Sequence, residues 1–154
     1  MLSDQTQITQ IGLVIRDEAR IKANMKQYFG VTPSRERFIR GDETRRYYGV
    51  FEDFEAKLIY YNFGSIEIEY IVPYKGHNIW QDHLDAHGEG LHHIQIAVKD
   101  SDEAAEELVM LGTQAVQEGA TVSKIPDAKW KYFDTQEQLG FILEVFDGAA
   151  KAQQ

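Results

Sequence analysis

Two stretches of the chain alternate apolar with small or polar residues in the same way. In Gln10-Ile-Gly-Leu-Val-Ile-Arg-Asp17, Ile11, Leu13 and Ile15 share one face; in His93-Ile-Gln-Ile-Ala-Val-Lys-Asp100, Ile94, Ile96 and Val98 do. The copies lie 83 residues apart, and each ends on an aspartate. A period of two is that of a strand with one buried face. The opposite faces carry Gln10, Gly12 and Val14, and His93, Gln95 and Ala97. Small and polar, they suit the wall of a cavity.

A helix is predicted after each strand. Ile21, Met25 and Tyr28 recur at helical spacing, with Gly30 as the stop. In the second copy Ser101 is read as the cap, and Asp102 and Glu103 suit the positive end of the helix dipole. Ala105, Leu108 and Leu111 form the apolar stripe, and Gly112 takes the part of Gly30. Further strands are expected over Tyr47–Glu52, Ala56–Asn62 and Ser65–Pro73, then over Gln114–Glu118, Trp130–Asp134 and Phe141–Asp147. A short helix, Ile79–His87, with Asn78 as its cap and Gly88 past its end, joins the halves. Strand, helix and three strands, twice over, is an α+β fold. At 154 residues the expectation is a single domain over 1–154: module one about 8–74, a linker helix about 78–88, and module two about 91–147.

Each half ends on a strand bearing an acid. In Ile66-Glu-Ile-Glu-Tyr-Ile-Val-Pro73, Ile66, Ile68, Tyr70 and Val72 are expected on the buried face, with Glu67, Glu69 and Ile71 opposite. Glu144 lies opposite Leu143 and Val145. A lone glutamate on a strand is most often solvated, and a histidine at a strand start most often structural. Under the repeat, however, Glu69 is equivalent to Glu144 and Gln10 to His93. Gln10, Glu69, His93 and Glu144 then face one cavity. One imidazole, two carboxylates and an amide oxygen suit one divalent ion of the Zn, Ni, Co, Mn or Fe group. Glu67 shares a face with Glu69 and stays an alternative to it. His92 points away from His93 and is read as structural or exposed.

Bulk properties narrow the options. A formal net charge of −9 and a pI of about 5.0 disfavour nucleic acids and anionic membranes as partners. With no cysteine, disulfides, thiolate metal sites and cysteine nucleophiles are excluded. No apolar run approaches the ~20 residues that span a bilayer, and Met1–Gln7 has no secretory pattern, so a cytoplasmic location is expected.

The chain resembles the vicinal oxygen chelate superfamily, which includes glyoxalase I, methylmalonyl-CoA epimerase, extradiol dioxygenases and bleomycin-resistance proteins. The resemblance covers about residues 8–147. It is carried by Gln10-Ile-Gly-Leu-Val-Ile, by Gly88-Glu-Gly-Leu-His-His-Ile-Gln-Ile-Ala-Val-Lys-Asp100, and by Tyr132-Phe-Asp-Thr followed by Leu139-Gly-Phe-Ile-Leu-Glu144. It implies two βαβββ modules forming a cupped, mostly antiparallel sheet with helices outside, and a homodimer. It also implies metal ligands at Gln10, Glu69, His93 and Glu144. The Gln–Glu–His–Glu order is similar to that of animal-type glyoxalase I; methylmalonyl-CoA epimerases more often show His, Gln, His, Glu. Where that glyoxalase holds glutathione with Arg, Asn and Arg, this chain has Val14, Pro73 and Glu89. An acid cannot replace the fork of an arginine, so glutathione binding is not expected. The chain's length and Gly88-Glu-Gly-Leu-His-His-Ile94 look more like the epimerase branch, and the epimerase and glyoxalase I branches are the nearest two. The implied activity is a lyase or isomerase that moves a proton alpha to a carbonyl through a metal-bound enediolate. Its substrate is a small molecule with two adjacent oxygens. Glu144 is expected to carry the proton, with Glu69 second, and Tyr47, Tyr60, Phe63, Trp130 and Tyr132 to line the pocket. The alternative is a metal-free, ligand-sequestering protein of the bleomycin-resistance type. A ferrous dioxygenase would want a second histidine where Gln10 stands.

Overall fold

The structure, a computed structural model, describes residues 6–40, 43–120 and 127–148. In chain order it contains β1 (Gln7–Val14), α1 (Glu18–Phe29), β2 (Arg35–Ile39), β3 (Arg46–Tyr47), β4 (Val50–Phe51), β5 (Glu55–Phe63) and β6 (Ile66–Lys75). After α2 (Ile79–His87) come β7 (Gly90–Ala97), α3 (Ser101–Met110), β8 (Ala115–Ala120), β9 (Lys129–Phe133), α4 (Gln136–Leu139) and β10 (Ile142–Phe146). Among the described residues the strands form one sheet in the order β2-β5-β6-β1-β7-β10-β9-β8-β3-β4. Pairing is parallel at β1–β6 and β7–β10 and antiparallel elsewhere. This is the expected α+β architecture of two βαβββ modules in a mostly antiparallel, cupped sheet. Among the described residues no helix is long and apolar enough to cross a membrane.

The register makes the internal repeat visible. β1 and β7 meet antiparallel with Ile11 opposite Ile94, Gln10 opposite Gln95 and Gly12 opposite His93. Exchanging the two copies maps these pairs onto themselves. On the outer sides, β6 sets Glu69 beside Gly12, and β10 sets Glu144 beside Gln95. The repeated aspartates play the same part in both copies. Asp17 caps α1 by accepting from Arg20 N, and Asp100 caps α3 by accepting from Asp102 N and Glu103 N. Asp100, not Ser101, is therefore the cap. Ser101 lies within the first turn, buried, and its Oγ donates to Asp147 at 2.9 Å.

The segment Tyr47–Glu52 is not one strand of module one. The positive φ of Tyr48 and Gly49 (48° and 78°) makes a two-residue hairpin between β3 and β4. That hairpin reaches across the cup to pair with β8, Arg46 opposite Glu118 and Tyr47 opposite Gln117. The strand of module one that follows α1 is instead β2, which pairs with β5.

The helical stripes are shorter than their periodicity suggests. Met25 packs on Ile59 and Tyr61, and Ala104 and Leu108 pack on Phe133, Leu143 and Val145. Tyr28 and Leu111, one turn further on, are 77% and 76% exposed. The strands also differ from a one-sided reading: in β1 the better buried face is Gln10, Gly12 and Val14, with Ile11 and Leu13 only half-buried. The cause is α2, whose Trp80 and Leu84 join Val14, Phe54, Ile71 and Tyr132 in a core inside the cup. Asn78 caps α2 by accepting from Gln81 N, and Gln117 Oε1 from β8 accepts the N–H of Ile79 at 3.0 Å. The inner core is thus pinned to both modules.

Candidate metal centre

Local backbone features seat His93. A Cβ built on Gly12 would lie 1.9 Å from His93 Cε1 and 2.3 Å from both ring nitrogens, so the imidazole fills the space a side chain there would take. The register then shifts, Gly12 facing His93 but Leu13 facing Leu91, which leaves His92 as the extra residue of a bulge. The bulge breaks the alternation that would have turned His92 away. His92 is instead buried beside His93, with the two Nδ1 atoms 3.0 Å apart. Burial, then His93 and His83, holds the proton affinity of His92 well below the ordinary histidine value, so it can accept a hydrogen bond as a neutral ring. One of the two Nδ1 atoms donates to the other; the tautomer with the proton on His93 Nδ1 would turn the Nε2 lone pair toward the cup.

Around that nitrogen the other three positions converge. Glu144 Oε2 lies at 3.1 Å, Gln10 Oε1 at 3.3 Å and Glu69 Oε2 at 3.6 Å. The amide of Gln10 is oriented from both ends: its Nε2 donates to Glu67 Oε1 at 2.8 Å, while its Oε1 accepts from Gln95 Nε2 at 3.3 Å. Thr9 Oγ1 in turn donates to Gln95 at 3.0 Å. Glu67 is further engaged by Arg35 at 3.2 Å, and the Arg35 guanidinium lies 3.8 Å from the centre of the Tyr60 ring. Of the two acids on β6, then, Glu69 stands against His93, and Glu67 orients Gln10.

The electrostatics are those of crowded, dry carboxylates. Burial foremost, opposed by His93 and reinforced by Glu144, raises the pKa of Glu69 to about 7. Burial and then the nearby Glu69 push the Tyr60 hydroxyl well above its usual value. Glu144 Oε2, buried and 3.1 Å from His93 Nε2, receives no aligned hydrogen bond. A buried carboxylate oxygen without a donor is costly, and a cation would offset that cost.

One imidazole, two carboxylates and an amide oxygen are donor types that a divalent ion accepts. Metal bonds of ~2.1 Å place neighbouring donors ~3.0 Å apart in an octahedral shell and ~3.4 Å in a tetrahedral one. Around His93 Nε2 the separations to Glu144 (3.1 Å) and Gln10 (3.3 Å) lie in that range, and that to Glu69 (3.6 Å) lies above it. Among the described residues no group of three or more His, Asp or Glu side chains is arranged so that it could hold a metal ion as it stands. Here the carboxylates stand against the imidazole itself, and an ion bound there would take up the donors that now face one another.

The cavity above these residues measures about 170 Å³ and is lined by Tyr60, Trp80, Trp130 and Tyr132 among its aromatics. Gly119 admits the indole of Trp130, since a Cβ there would lie 2.4 Å from that ring. Two expected aromatics are elsewhere. The hydroxyl of Tyr47 donates to Asp82 at 2.8 Å, and Phe63 packs edge-on against Phe29 at the end of β5. Sequence reasoning missed Trp80 and three arginines of the lining, Arg35, Arg37 and Arg45. Their signal was faint: the arginines at 35 and 37 alternate with Glu36 and Phe38, the reverse of an apolar-inward pattern.

Residues 9–131 match the Glyoxalase/Bleomycin resistance protein/Dioxygenase superfamily. The chain belongs to this superfamily. No curated protein matches the chain. Among solved structures of the superfamily's fold, a methylmalonyl-CoA epimerase in complex with methylmalonyl-CoA and NH4+ is similar, with a TM-score of 0.68 and 17% identity over 94% of this chain and 96% of that one. The methylmalonyl-CoA epimerase from Mycobacterium tuberculosis aligns with a TM-score of 0.64 and 16% identity over 90% of this chain and 85% of that one. A mutant of 4-hydroxymandelate synthase from Streptomyces coelicolor aligns over 97% of this chain and 52% of its own, at 12% identity and a TM-score of 0.61. At these identities the likeness is one of fold.

Proposed function

We propose that this protein is a divalent-metal-dependent isomerase or lyase that moves a proton on the carbon next to a carbonyl, nearest in kind to an epimerase. The observation that carries the reading is the convergence of Gln10, Glu69 and Glu144 on His93 Nε2 within 3.6 Å. Gln10, Glu69, His93 and Glu144 would hold one ion of the Zn, Ni, Co, Mn or Fe group. Such an ion, when bound, supplies Lewis acidity toward two adjacent substrate oxygens. The rest is done by the chain. Trp80, Trp130 and Tyr132 exclude water, and Gln95 and Glu67 keep the Gln10 oxygen aimed inward. Glu144, whose Oε2 has no hydrogen-bond donor, takes the α-proton. Glu69, on β6 where Glu144 is on β10, is the second proton carrier. Two carriers on different strands suit a reaction that removes a proton from one face of a carbon and returns it to the other. We propose a single domain that works as a homodimer, to be checked by light scattering.

The test has two parts. Protein purified without chelator should carry about one ion per chain, lost in Glu144→Ala. Deuterium exchange at the α-carbon, followed by NMR, should occur in at least one of methylmalonyl-CoA, a hemithioacetal or a simple 2-oxo acid. Exchange in none of them rejects the proton-transfer reading. Metal-free protein that binds a cationic drug tightly would instead identify a sequestering protein of the bleomycin-resistance type.

A further inference from the structure

One face of α2 looks away from the core of the cup. Trp80 and Leu84 turn into that core, while Ile79, Asp82, His83, Ala86 and His87 recur at the spacing of a single helical stripe. The stripe is one wall of a second cavity, of about 230 Å³, across which stand Tyr48, Asp134 and Gln136. Two imidazoles and two carboxylates thus share a cleft whose described lining holds no lysine or arginine.

His83 and His87 are four residues apart, the spacing at which two histidines on one helix face reach a single ion. Their ring centroids lie 4.9 Å apart, with the planes inclined at 54°. With metal–nitrogen bonds of ~2.1 Å, two imidazoles on one ion have centroids ~4.6 Å apart at a right angle and ~5.3 Å apart at the tetrahedral angle. The observed spacing falls between those values. Among the described residues neither ring makes a hydrogen bond, so rotation about the last side-chain torsion is open to both. The carboxylates are held nearby. Asp82 accepts from the Tyr47 hydroxyl at 2.8 Å, and Asp134 accepts from Gln136 N at 3.3 Å. Burial, and then Asp82 and Asp134, raise the Tyr48 hydroxyl above its usual value, the mark of two acids aimed at one region.

We propose that His83 and His87 chelate a late first-row divalent ion (Ni, Cu or Zn) in a site separate from the centre in the cup, with water completing its shell. Two cis imidazoles and water select such ions over magnesium or calcium, which prefer oxygen. With two protein ligands where the cup offers four, this site is the weaker of the two and fills only when the ion is supplied. It does not depend on the centre in the cup being a metal site.

The test is a zinc titration of the full chain by calorimetry, without an affinity tag and after removal of metal by a chelator that is itself then removed. A class of binding should persist in Glu144→Ala and weaken about tenfold or more in His87→Gln, which leaves one imidazole where two acted together. His87 is exposed at the end of α2, whereas His83 packs against His92 with ring centroids 5.2 Å apart, so His87 is the residue to replace. A second variant, Asp85→His combined with His87→Ala, keeps the number of histidines but sets the pair two residues apart, where they do not share a face. It should bind as weakly as His87→Gln. Zinc binding untouched by His87→Gln, or undiminished in the second variant, overturns the proposal, as does the absence of any class beyond one lost in Glu144→Ala. A single class that is lost in His87→Gln and indifferent to Glu144→Ala upholds this site and removes the centre in the cup.

Discussion

The glycine at position 12 offers the sharpest check on how the centre is built. Its backbone is extended strand and is absent from the positive-φ positions, so alanine meets no conformational penalty there. The penalty is one of space. The added Cβ would stand 1.9 Å from His93 Cε1, whereas comfortable carbon contacts are ~3.5–4.0 Å. The ring would have to retreat by more than about 1.5 Å, against His92 at 3.0 Å and the Tyr132 ring with centroids 5.0 Å apart. Overpacking of this kind costs about 1–3 kcal/mol. Urea unfolding of the metal-free protein should show that loss for Gly12→Ala, and the variant should also lose most of its bound ion. The decisive measurement is the double-mutant cycle with His93→Ala, where the imidazole is gone and the new methyl has room. Gly12→Ala should then be nearly neutral, giving a coupling of about 1–3 kcal/mol. An equal cost in both backgrounds would refute the steric account of His93.

Other consequences follow from the same site and its supports. In the metal-free protein, folded Glu69 keeps its proton up to about pH 7, while its ordinary value is 4.5. The folded state then binds more protons than the unfolded one between those limits. This contribution to stability is full below about pH 4.5 and is lost as pH rises to about 7, by a few kcal/mol. Unfolding midpoints across that window should fall accordingly and should flatten in Glu69→Gln. Glu144→Gln gives the orphaned carboxylate position a neutral group, so the metal-free protein should melt at a higher temperature while ion uptake, measured by calorimetry, is lost. Asp147, buried, accepts from Ser101 Oγ at 2.9 Å and Lys129 N at 2.7 Å, tying α3 and β9 to the end of β10. Asp147→Ala strands those donors and should lower unfolding free energy by about 2–4 kcal/mol, with a smaller loss in Asp147→Asn.

Much of the fold was legible in the chain. β1 and β7 could be read because they sit at the seam, where a half-buried alternation and a shared capping aspartate repeat together. Glu69 and Glu144 followed from the repeat and not from their own surroundings. What was not legible depended on partners distant in sequence. β2 hid because its cavity face is made of arginines, so its hydrophobic pattern is inverted. Tyr47 went astray because a two-residue hairpin carried it to the other module. The burial of His92 depends on a bulge that alternation cannot foretell, and the space reserved by Gly12 is visible only when the ring that fills it is in place.

The excursion of β3 and β4 onto β8 adds a second tie between the halves, beyond the pairing of β1 with β7. A chain severed near Gly88 yields a second fragment with the outer edge of β8 stripped bare, and a first fragment carrying a hairpin with nothing to pair against. Neither piece can complete a wall of the cup alone, so complementation between separately expressed halves, and not either half by itself, is the route by which this architecture could be rebuilt from parts.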